Sequence, residues 1–125
     1  MTLSTASAVE ALDAPADLAV LDAVAQGVLV FGDHGGSAPP VFANTGMASL
    51  VGCDPAALLR DGPRLFLDEF EAGRLRDAVA RALADGAAEC RDLIGIRDAA
   101  RRIVMHARLR RLPASRRVLV TFEDV

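Results

Sequence analysis

The stretch VFANTGMASLVGCDPAALL, Val41–Leu59, decides how this chain folds. Val41 to Ala43 reads as a short apolar strand. Asn44 follows where a helix N-cap belongs, its side-chain oxygen placed to accept from the amides of the next turn, and Gly52 stands where that helix must stop. Asp54–Pro55 is a second start, with the acid as cap and proline at the first helical position. Leu58 and Leu59 are expected to face inward, and Gly62 closes the turn. The segment therefore predicts two very short helices with a bend between them, lying across one face of a sheet.

Upstream, Val28 to Phe31 (VLVF) is a strand, GDHGGSAPP is a turn cluster, and Val41–Ala43 returns antiparallel, so the first unit is a β-hairpin. Before it, Leu18, Leu21 and Val24 or Ala25 recur at helical spacing from Pro15 onward, with Asp17 and Asp22 off that stripe and Gln26–Gly27 as the stop. Residues 1–15 read as a tail or flanking helix, and 16–125 as one domain. Downstream, Asp68 caps a longer helix in which Leu75, Val79 and Leu83 share a stripe, Asp77 and Arg81 form an i,i+4 pair, and Asp85–Gly86 is the end. Ala88–Ile96 is a strand and RDAARR a turn. Arg102–Leu112 then alternates Ile103, Met105, Ala107 and Leu109 on one face with Arg102, Val104, His106, Arg108 and Arg110 on the other. After a turn at Pro113–Ser115, Val118, Val120 and Phe122 share a face of the last strand. The order predicts an α+β fold: a five-stranded antiparallel sheet with short helices and one longer helix packed on one face. No βαβ repeat occurs, which excludes a doubly wound sheet.

At 125 residues, 52% apolar and 25% charged, the chain fits one domain with a single real core. All 14 basic residues are arginine. Eight of them fall between Arg97 and Arg117 with only Asp98 opposing, whereas the chain as a whole carries a net charge of −3. Any attraction for an anionic partner would therefore localise to that segment. Cys53 and Cys90 have no metal-site spacing and suit a reducing cytoplasm. No secretory signal is expected, and the uncharged stretch His34–Cys53 is too rich in glycine and proline for a membrane span.

Taken in order, LDAVAQGVLVF, VFANTGMASLVG with its Asn44 and Gly52, the DPAALL start and the closing VLVTFEDV resemble a PAS domain over about Leu18 to Asp124, most of the chain. The resemblance implies a cytoplasmic sensory or regulatory module of a bacterial signalling protein such as a sensor histidine kinase. Such modules are commonly dimeric and pass a change in their core to an output domain. The family's closing D-x-T would begin at Asp124, and the chain ends before its threonine, as a fragment of a larger protein would.

The same resemblance bears on cofactors. A photoactive flavin adduct needs a cysteine where DGPRLF has Pro63, and the haem-binding relatives use a histidine on the long helix, where Phe70–Gly86 has none. His34 reads as a loop residue and His106 as an outward strand residue. No glycine-rich ATP loop, phospho-accepting histidine motif, G-x-S-x-G or H-E-x-x-H occurs, so the chain itself is not expected to catalyse a reaction. No metal site is expected.

A binding role remains, for an unidentified small ligand or for a protein. A cavity under the helices would be walled by Val30, Asn44, Met47, Leu50, Leu75, Val79, Met105 and Val120; the same side chains would otherwise simply fill the core, with Asn44 only a cap. Arg108 and Arg110, with Val104 and Leu119 on the same outward face, form either a partner contact or a solvated surface. Leu18 and Leu21 mark a helical dimer contact. Nucleic acid is not expected as a partner of this surface, because the chain is acidic and no aromatic residue is interleaved with the arginines.

Overall fold

The two short helices form because each end is fixed by a side chain or a glycine. In the computed structural model, which describes residues 26–32, 34–98, 100–113 and 115–125, α1 spans Thr45–Val51 and α2 spans Pro55–Asp61. The Asn44 side chain accepts from the Met47 amide, and the Asp54 side chain from the Ala56 amide. Gly52 ends α1 at φ 69°, its N–H returning to the Ala48 carbonyl. A Cβ at Gly52 would lie 1.8 Å from Asp98 Oδ1. The position therefore needs glycine twice over, for the left-handed backbone and for the space.

The remaining elements follow in order: β1 (Gly27–Phe31), β2 (Phe42–Ala43), α3 (Glu69–Asp85), β3 (Ala87–Arg97), β4 (Arg101–Arg111) and β5 (Val118–Asp124). Single 3-10 turns at Gly35–Ser37 and Gly62–Leu65 were not foreseen from the sequence. The sheet is antiparallel with strand order β2-β1-β5-β4-β3, so the N-terminal hairpin joins the three C-terminal strands through β1 and β5. The fold class predicted from sequence is the one observed.

One face of the sheet carries Leu29, Phe31, Met105, Val120 and Phe122, which meet Met47, Leu58, Phe66, Leu75 and Val79 from the helix layer in one cluster. Burying such side chains contributes about 1.5–3 kcal/mol each, the dominant favourable term. Phe66 and Phe122 meet edge to face at 6.0 Å.

β3 is an edge strand, and its free edge is covered by the helix layer. The N–H of Ile94 donates to Glu71 Oε2 at 2.6 Å, that of Ile96 to the Phe66 carbonyl at 2.8 Å, and that of Asp98 to the Val51 carbonyl at 3.1 Å. Between Cys90 and Leu93 the pairing register shifts, and Asp92 takes a positive φ of 53°. The carbonyls freed by this bulge, those of Arg91 and Asp92, accept from Arg74, which is itself paired with the buried Glu71. The edge is thus closed to strand addition by alternate amides and two side chains.

Several sequence-based expectations need correction. Leu58 is fully buried but Leu59 is 39% exposed, because consecutive helical residues point about 100° apart and only one can face the core. β2 is shorter than Val41–Ala43; Val41 is exposed, although its N–H still reaches the Val30 carbonyl. Gly27 is the first residue of β1, one earlier than the strand expected from Val28. β3 and β4 begin a residue earlier than expected, and β3 ends one later and β4 one earlier. Asp77 and Arg81 are not among the ion pairs of the described residues. The helix expected before Gln26 lies outside the described residues.

Asn44 is fully buried. Besides capping α1, its Oδ1 accepts from the Val28 amide at 2.8 Å and its Nδ2 donates to the Gln26 carbonyl at 3.0 Å. Asn44→Ala removes a cap and leaves the buried Val28 amide unpaired, so urea unfolding should report a loss of about 2–4 kcal/mol. A loss under about 1 kcal/mol, the size of a cap alone, would show that the link to β1 is unimportant.

Candidate functional site

The helix-side candidates converge, with one exception. Met47, Leu75, Val79, Met105 and Val120 all belong to the core cluster, each no more than 1% exposed, with Leu50 half-buried against it and Asn44 at its rim. Val30 departs from this set. It pairs with Leu119 across β1 and β5, and side chains directly opposite in a sheet share a face, so Val30 lies on the face away from the helices. The period of two makes Leu29 and Phe31 the β1 residues of the core, a one-residue error in the sequence reading.

The outer face is divided. Val28, Val30 and Leu119 are buried there (0%, 0% and 2% exposed), while Arg108 and Arg110, one strand over, are exposed. Leu119 is therefore closed to solvent rather than presented as a contact, and Val104 is half-buried. Leu18 and Leu21 lie outside the described residues. A recess of about 670 Å³ opens on this face between β3, β4 and β5, with Leu119 and Thr121 in its lining and Glu89, Arg108 and Arg110 around it. Within the face the structure thus brings Arg108, Arg110 and Leu119 together.

Glu89 is the acidic counterweight, which the sequence reading missed. It faces Arg108 across the β3–β4 ladder, pairs with Arg91 at 3.3 Å, and has His106 Nε2 at 3.4 Å, within ion-pair distance but without hydrogen-bond geometry. The signal was present in the alternation of β4, but the bulge in β3 breaks the count that would have placed Glu89 opposite it. The hydrogen bond from Arg91 chiefly, with help from His106, holds the Glu89 carboxyl below its ordinary range. Gln26 Nε2 also donates to Glu123 Oε1 on this side of the sheet.

The thiols are held in their protonated form. Burial raises the pKa of Cys90, and burial together with the nearby Asp98 charge raises that of Cys53, the opposite of what a nucleophile or metal ligand needs. Among the described residues no group of three His, Cys, Asp or Glu side chains is arranged to hold a metal ion, and no helix is long and apolar enough to cross a membrane.

No protein family's sequence profile matches this chain, and a search of curated proteins finds no match either. Its fold does match solved structures. A domain of a sensory box sensor histidine kinase/response regulator from Geobacter sulfurreducens superposes with a TM-score of 0.65 at 13% identity, covering 95% of this chain and 93% of its own. The PAS domain of the fruit-fly ELK potassium channel gives 0.65 at 8% identity, with 98% of both chains covered. A light-oxygen-voltage domain studied with a flavin analogue gives 0.64 at 18% identity, covering 92% of this chain and 87% of its own. The chain has a PAS-domain fold. At these identities the likeness concerns the fold, and the same fold occurs in a sensor histidine kinase/response regulator, a potassium channel and a light-oxygen-voltage domain.

The depressed Glu89 pKa has a defined sign. Its contacts contribute above the carboxylate's ordinary pKa and are lost only as pH falls through the lower, folded value. A carboxyl-detected NMR titration should find Glu89 titrating below an ordinary glutamate, with Arg91→Ala moving its midpoint upward. An unmoved midpoint would remove Arg91 as the cause.

Proposed function

We propose that this chain is the sensory or regulatory PAS module of a bacterial signal-transduction protein, a sensor histidine kinase, and that it works in the cytoplasm as a homodimer relaying a change in its helix layer to an output domain. The module itself performs no catalysis. The observation that carries this reading is the double use of Asn44: one side chain holds both the first turn of α1 and the backbone of β1 at Gln26 and Val28. A displacement of α1 by a change in the core is thereby passed to the strand whose Val28 and Val30 face the other side of the sheet. The sensor-kinase domain among the similar folds supports the choice of parent protein. A photoactive flavin adduct is not proposed, since Pro63 stands in the 3-10 turn and supplies no thiol.

A second reading is supported by the full burial of Met47, Val79, Met105 and Val120, which fits a filled core better than a ligand chamber. In it the domain is a ligand-free interaction module, or the PAS domain of a transcriptional regulator, docking an acidic protein surface through Arg108 and Arg110.

Sedimentation equilibrium of the chain tests the proposal. We expect dimers; if they persist in an Arg108→Glu/Arg110→Glu variant of unchanged circular dichroism, the arginine-bearing strand is left free for the acidic partner of the second reading. A monomer at the highest soluble concentration would contradict relay by dimerisation. A dimer indifferent to the charge reversal would place the contact elsewhere than on the arginine-bearing strand.

A further inference from the structure

A second recess, of about 410 Å³, lies at the opposite side of the molecule from the arginine-bearing strands, between the Gly36–Pro39 loop, the corner from Arg60 to Arg64, and α3. Its construction is specific. Gly36 seats the loop on α3 so closely that a Cβ there would lie 2.9 Å from Arg76 Cα, and Gly62 turns the corner at φ 70° with Pro40 Cδ 3.4 Å from where its Cβ would be. Gly36 is needed for the close approach to α3, and Gly62 for its left-handed backbone. Phe31 and Leu75, each 1% exposed, contribute apolar lining, so the recess reaches down to the core cluster. Leu75 is the single residue it shares with the cavity wall expected from the sequence.

The rim is cationic. Three arginines, Arg60, Arg64 and Arg76, stand among the described lining residues against one carboxylate, Asp61. Asp61 is occupied by Arg60 at 3.2 Å, whereas Arg64 and Arg76 have no ion-pair or hydrogen-bond partner among the described residues. In a chain of net charge −3 this is a local inversion of sign. A guanidinium presents a planar fork of donors that matches a carboxylate or a phosphate, and the volume falls within the range of small-molecule sites.

We propose that this recess binds a small organic anion, its apolar body against Phe31, Leu75, Pro39 and Pro63 and its carboxylate or phosphate held by Arg64 and Arg76. The site rests on its own geometry, and only its role as the input of a sensor rests on the function proposed above. Bound there, the anion would bridge α3 and the corner after α2, two parts of the helix layer.

The test uses two dyes with one body. 1-Anilinonaphthalene-8-sulfonate carries an anionic group and N-phenyl-1-naphthylamine does not. Fluorescence titration of the folded chain should give one saturable site for the sulfonate dye. An Arg64→Gln/Arg76→Gln variant should bind it at least tenfold more weakly while binding of the neutral dye is unchanged; glutamine keeps the side-chain stem against Gly36. Arg64→Gln alone, which leaves that contact intact, should show a part of the same loss. Phenyl phosphate and phenylacetate then compete separately, and whichever displaces the dye at lower concentration assigns the headgroup. The proposal is overturned by any of four results: no sulfonate-dye binding, equal binding by wild type and variant, parallel loss of both dyes, or displacement by neither competitor. Because sedimentation of the same samples reports the dimer, failure here is distinguishable from failure of the sensory reading.

Discussion

The Asn44 side chain is the constraint on which the rest of this structure depends. A short helix lying across a sheet has two problems at its start: the first amides of the helix have no partner, and the strand beneath it has backbone groups that face away from any neighbouring strand. A carboxamide has both an acceptor and a donor and can serve both needs at once. Asn44 Oδ1 takes the Met47 and Val28 amides, and Nδ2 takes the Gln26 carbonyl. The side chain is fully buried, so losing its bond to the Val28 or the Met47 amide strands a buried donor. A serine or threonine would cap α1 but lacks the donor for Gln26, and an aspartate would bring a charge into a dry site. The choice of asparagine is thus explained by the strand as much as by the helix.

At the opposite edge of the sheet the same economy recurs with charged groups. Glu71 is buried in the first turn of α3, where a carboxylate is favoured by the free amides, and it is paired with Arg74 one turn on. The pair reaches across to the β3 bulge, taking the Ile94 amide and the carbonyls of Arg91 and Asp92. An ion pair with one member buried and the other part-exposed is a device for geometry more than for net stability. It fixes where β3 bends and thereby how its outer side chains, Glu89 among them, meet β4. The helix layer is accordingly tied to both halves of the sheet, at β1 by Asn44 and at β3 by Glu71 and Arg74. That arrangement is what a module needs if events among its helices are to be felt on the sheet's other face.

Most of the architecture was legible in the sequence because its signals are local. As caps, Asn44, Gly52, Asp54, Asp68 and Gly86 bond only to groups within a few residues of themselves, and each cap is where the residue pattern places it. What failed was long-range or depended on parity. The sequence alone puts Val30 in the core although its neighbour Leu29 belongs there, since VLVF is apolar at every position and gives no alternation from which to choose a face. Leu58 and Leu59 pose the helical version of that ambiguity. The bulge at Arg91–Asp92 carries no glycine to announce it and hides the pairing of Glu89 with β4. The recess bounded by Arg64 and Arg76 joins a loop, a corner and a helix that are far apart in the chain, so no spacing could reveal it.

The central claim, that one side chain makes α1 and β1 a single mechanical unit, is tested most directly by native-state hydrogen exchange at the Met47 and Val28 amides as a function of urea. If both are released only when Asn44 lets go, the two amides share one opening reaction, with equal free energy and equal denaturant dependence. If Met47 exchanges through a cheaper, denaturant-independent fraying of α1 while Val28 stays protected, the helix moves without the strand and the coupling proposed here does not exist.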